Sequence, residues 1–136
     1  MLRVLSLCLL AAAPPQLTEW KLHHRDAAQA LASWVRSDQT AARKLFAWDG
    51  VHPEQAKELV DWAIDKPDED VVAFHTKHRD WPQFEELLDK HRNALNGFAA
   101  WARQHRDAAK ELMQHPRALE SLGKELLPKA RQARTR

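Results

Sequence analysis

The sequence predicts an all-α fold: a single domain of about seven short helices, built from a degenerate 14-residue repeat and stacked as a compact bundle or short helical array. Three observations lead there. Only three of the 136 residues are glycine and none is tyrosine, and the apolar positions are rich in Ala and Leu, which favours helix over sheet. Trp20, Trp34, Trp48 and Trp62 stand 14 residues apart, and Leu31, Leu45 and Leu59 keep the same interval, as do Ala28, Ala42 and Ala56. Pro53 and Pro67 repeat it again. Proline suits the first turn of a helix and costs about 3 kcal/mol in its interior.

The chain opens with "MLRVLSLCLLAAAPP". Arg3 supplies a positive start, Val4 to Leu10 are apolar, and Ala11 to Ala13 are small. This is the pattern of a signal peptide over residues 1–13. It is too short to span a bilayer, which takes about 20 apolar residues. The localisation expected is secreted or periplasmic in a bacterium, or cytoplasmic if the segment is no signal. Cys8 is the single cysteine, so an intrachain disulfide and a Cys-based zinc site are both excluded.

The repeat domain is expected over residues 16–127. Units begin at His24, Asp38, His52 and Lys66, and less regularly at His78, His91, His105 and His115. "HPEQAKELVDW" (52–62) is the cleanest copy. Its fifth, eighth and eleventh residues are Ala56, Leu59 and Trp62, which share one helical face. A 14-residue period also fits two heptads of one continuous helix. The seam of such a helix would then carry His24, Asp38, His52 and Lys66 between its leucines, which a coiled coil tolerates poorly.

The unit is therefore read as a helix of about ten residues plus a turn. Pro53, Pro67 and Pro116 stand second in their units, and Asp80 is a cap candidate before Pro82. Gly50 and Gly97 read as ends or breaks. From Leu17 to Trp48 there is no Gly or Pro, so the units over 20–48 form either one helix or two. Helices this short are marginal alone and must stack, with Trp and Leu as interior anchors.

One phrase is written twice. "WKLHHRDAAQAL" spans 20–31 and "WARQHRDAAKEL" spans 101–112. The triplet His-Arg-Asp stands at 24–26, 78–80 and 105–107. In protein kinases it opens the catalytic loop, but the following Asn and the Gly-rich loop are missing here. It reads instead as a helix start, with the Asp placed to complement the helix dipole. The acids Asp68, Glu69 and Asp70 after Pro67 read in the same way.

Eight histidines invite a metal reading. His75 and His78 are spaced i, i+3, and Asp80 adds a carboxylate, so these three are the candidate ligands. No His-Glu-x-x-His pattern supports a catalytic zinc. Residues 128–136 read as a basic flexible tail beyond a helix ended by Pro128. Its Lys129, Arg131, Arg134 and Arg136 are candidates for contact with an anionic surface. The formal net charge of +2 is too small for a general nucleic-acid binder, and no specific nucleic acid is expected.

In general look the chain resembles bacterial proteins built of short helices that open with His-Pro; that resemblance names no family and implies no function. No nucleophile elbow, P-loop or dinucleotide fingerprint is present, so no enzyme and no cofactor are expected. The function expected is a non-catalytic interaction or structural module, binding another protein. The alternative is a histidine-rich binder of a divalent metal or a haem-like ligand.

Overall fold

The computed structural model describes residues 15–135, and side chains over 17–130. Residues 1–13, expected as a signal peptide, lie outside the described residues. Among the described residues eight helices follow one another: α1 (Pro15–His23), α2 (Arg25–Ser37), α3 (Gln39–Val51), α4 (Pro53–Asp65), α5 (Val71–Lys77), α6 (Pro82–Gln104), α7 (Arg106–Leu112) and α8 (Ala118–Thr135). The expected all-α class is what the chain adopts.

The repeat is built more tightly than a helix plus a turn. α2, α3 and α4 are each 13 residues long, and single residues part them from one another and from α1. His24, Asp38, His52, Lys66, His78, His91 and His105 share one backbone conformation, with φ between −137° and −124° and ψ between 37° and 67°. A helical residue holds ψ near about −42°, so one rotation bends the chain. The hydrogen-bond ladder runs on through the bend. The N–H groups of His24, Asp38, His52, Lys66 and His105 each donate to the Trp carbonyl four residues back, at 2.7–3.0 Å. The carbonyls of His24, Asp38, His52 and His105 accept from the Ala four residues on, at 2.8–3.1 Å. The span 20–48 is thus neither one helix nor two separated by a turn, but segments bent at His24 and Asp38.

The joint side chains make no cap hydrogen bond at α2, α3, α4 or α7. On either side of the joints the apolar face is packed inward. Leu31, Leu45, Leu59, Leu95 and Leu112 are sealed in one core with Val35, Phe46, Phe84 and Phe98. Full burial of such a side chain contributes roughly 1.5–3 kcal/mol. Trp20, Trp34, Trp48, Trp62 and Trp101 are buried as expected, while Trp81 is half-buried at the edge.

Several local expectations are corrected. Pro53 and Pro82 do open α4 and α6. Pro67 and Pro116 instead lie in turns. Asp68 and Glu69 are in the connection rather than a helical turn, and Asp70 caps α5 by accepting from the Val72 N–H at 2.9 Å. Asp80 does not cap α6; Trp81 stands at that position. Gly50 and Gly97 sit inside α3 and α6 and serve close approach. A Cβ on Gly97 would lie 3.2 Å from the Trp34 indole nitrogen, and one on Gly123 would lie 2.7 Å from the Phe46 ring. Pro128 lies inside α8 and does not end it. Beyond it, Ala130 is buried and its carbonyl accepts from Gln39 Nε2 at 3.2 Å. The chain over 128–135 is therefore helical rather than a loose tail.

Candidate functional site

The two copies of the repeated phrase face each other. The Trp20 indole N–H donates to the Ala108 carbonyl at 2.8 Å, and the Trp101 indole N–H donates to the Ala27 carbonyl at 2.8 Å. Each copy's Trp bonds the first Ala after the other copy's His-Arg-Asp. The arrangement is a local two-fold written into one chain. Trp34 uses the same contact one unit further on, donating to Ala94, the third residue after His91, at 3.0 Å.

Between the copies lies an open polar crevice of about 500 Å³. Arg25 and Asp26 line it from one copy, and Arg106 and Asp107 from the other. All four are exposed, and none forms an ion pair among the described residues. Asp26 and Asp107 sit in the first turns of α2 and α7, as their triplets predict. His24 breaks the symmetry by pairing with Glu111. The residue in the first copy that matches Glu111 is Ala30, so His105 faces no such acid.

The structure does not gather the three residues expected to bind metal. His75 approaches Glu85 at 4.0 Å, whereas His78 turns toward Glu58 at 3.9 Å. The His78 ring stacks on Trp81, centroids 4.0 Å apart and 18° between planes. Asp80 is exposed in the turn before α6. α5 ends at Lys77, so the two histidines do not share one regular helical face. No group of three or more His, Cys, Asp or Glu among the described residues is placed to hold a metal ion.

The basic residues expected to touch an anionic surface are also constrained. Lys129 pairs with Glu125 at 3.4 Å. Arg131 and Arg134 fall on the last turns of α8, and Arg136 lies outside the described residues. No helix among the described residues is long and apolar enough to cross a membrane.

Three features were not foreseen. Asp49 is fully buried and accepts from the Glu120 N–H at 3.0 Å, joining α3 to the start of α8. Burial pushes its carboxyl up to about 6, against the opposing pull of the Glu120 and Leu119 backbone N–H groups. Arg103 reaches across to the end of α4. The third is an apolar crevice of about 260 Å³ beside Trp48. Only Asp49 carried a sequence signal, as an acid on a face otherwise occupied by Leu45 and Trp48.

No protein-family model, curated protein or solved structure matches this chain.

Proposed function

We propose that this chain is a non-catalytic interaction module that binds another protein through the crevice between its two repeated phrases. The observation that carries this reading is the set Arg25, Asp26, Arg106 and Asp107. Two cations and two anions line one opening, all exposed and none in an ion pair among the described residues. The repeated Trp and Leu residues are consumed by the core, which leaves recognition to polar surface. Paired charges of both signs suit a polypeptide carrying the complementary pattern, because electrostatic complementarity sets specificity and orientation. The apolar segment 4–13 supports an exported protein, which mass spectrometry of the mature N-terminus tests.

The binding test is affinity capture from source cells with the wild type and with an Arg25→Glu, Arg106→Glu double variant. Matching melts first establish that both are folded. The expected result is a partner retained by the wild type and lost by the variant. An identical set of captured proteins from both removes this reading.

A further inference from the structure

The local two-fold between the repeated phrases fixes more than the reciprocal indole bonds. Both copies hold one geometry. His24 and His105 bend the chain at φ −130° and −126°, with ψ 57° and 55°. The Trp20 and His24 rings lie 6.0 Å apart at 42°, and the Trp101 and His105 rings 6.2 Å apart at 38°. Two like segments that bond each other reciprocally are related by a two-fold, as in an isologous interface. Here that relation lies inside one chain. The His24–Glu111 pair departs from it without engaging any of the four crevice charges.

The two-fold carries Arg25 onto Arg106 and Asp26 onto Asp107. Viewed along its axis, each arginine then has an aspartate on either side. The signs alternate around the crevice and sum to zero. All four side chains are exposed, and none is in an ion pair among the described residues. A surface of one sign gains little from such a ring, because every second contact repels it. The complement must alternate with the same spacing. The same ring, turned over face to face, does so. One further two-fold, perpendicular to the first, lays both arginines over aspartates and both aspartates over arginines. Leu22, 58% exposed, lines the same crevice and adds apolar surface beside the charges.

We propose that the occupant of this crevice is a second copy of the chain, joined ring to ring in a symmetric dimer. This rests on the reading of the crevice as a protein-binding surface and names its partner. Four contacts between exposed charges form together, each of them weak, and water fills the concave remainder. The dimer is therefore transient and sensitive to salt.

The experiment is sedimentation equilibrium of the purified full chain, with no other protein present. The expected result is a monomer–dimer equilibrium with a dissociation constant on the order of 0.1–1 mM, the scale of four weak contacts. Raising salt from about 0.05 M to about 0.5 M should weaken it about tenfold. The Arg25→Glu, Arg106→Glu variant, whose ring is wholly acidic, should stay monomeric while melting like the wild type. A fourfold variant, Arg25→Asp, Asp26→Arg, Arg106→Asp and Asp107→Arg, keeps the alternation with every sign reversed and should dimerise again. A wild type that stays monomeric at about 1 mM, an acidic variant that dimerises as the wild type does, or a folded fourfold variant that stays monomeric overturns the proposal. Capture from cells reads any other partner separately, so failure of the dimer leaves that result intact.

Discussion

The guanidinium of Arg103 lies over the Trp62 ring, 5.1 Å from its centroid. From that position it donates to the carbonyls of Ala63 at 2.7 Å, Lys66 at 2.9 Å and Glu69 at 2.9 Å. The last carbonyls of a helix lack partners within it, and here α6 supplies them to α4. The Trp62 N–H closes the same junction by donating to Glu69 at 2.7 Å. One residue therefore fixes the end of α4, the connection to α5 and the face of an indole. Arg103→Ala should cost about 2–4 kcal/mol, from lost charged hydrogen bonds and the ring contact. Arg103→Lys should recover only part, because an ammonium lacks the planar fork. Urea unfolding of the three proteins measures both; a loss below about 1 kcal/mol in the Ala variant counts against the junction.

The joint at Asp38 separates local preference from packing. Its side chain caps nothing, yet its backbone N–H is bonded to the Trp34 carbonyl at 3.0 Å and its φ is −132°. Asp38→Ala should then change stability by less than about 1 kcal/mol, even though Ala prefers helix. Asp38→Pro removes the N–H and forces φ toward about −65°, so it should cost about 3 kcal/mol or more. Thermal melts of the pair give the answer. A large loss in the Ala variant would show that the side chain, not the core, sets the bend.

The 14-residue period was legible because Trp and Leu recur at positions that the core demands, and those positions are buried. The joints were legible as places, because His24, Asp38, His52, Lys66, His78, His91 and His105 are unit starts in the sequence. Their form was not: a single non-helical residue takes the place of a turn, and His, Asp and Lys carry no common signal for that conformation. The glycines misled for a related reason. Gly97 is pressed by the Trp34 indole and Gly50 by the Glu120 side chain, and such long-range approach leaves no local mark. The repeated phrase revealed that a unit was duplicated, but not that the copies bond each other. That pairing needs the chain to return across 81 positions, which spacing alone does not encode. The metal candidates are separated at the scale of one turn. α5 stops before His78, and stacking on Trp81 claims the ring.

Metal addition gives a direct check on that geometry. A ligand that binds only the folded state raises the melting temperature by mass action. With no three-ligand group among the described residues, millimolar zinc should leave the melt unchanged, and His75→Ala should not alter the response. A zinc-dependent rise abolished by His75→Ala or His78→Ala would restore the metal reading.

Asp49 makes the link between α3 and α8 depend on pH, and the sign follows from its burial. In the unfolded chain the carboxyl has its ordinary value of 3.8, and in the folded chain it is pushed up to about 6. The folded state therefore holds the proton more tightly. The stability this contributes is fully present below about pH 4 and is lost as pH rises through about 6. The shift corresponds to at most about 3 kcal/mol. The wild type is compared with Asp49→Asn, whose side-chain oxygen still accepts from the Glu120 N–H, so that the effect of every other group cancels. The wild type should lose stability relative to Asp49→Asn between pH 4 and pH 7. Urea unfolding of both proteins across that range measures the difference. Parallel curves would mean that Asp49 is as well solvated as an ordinary surface acid, and that the start of α8 is not sealed against α3.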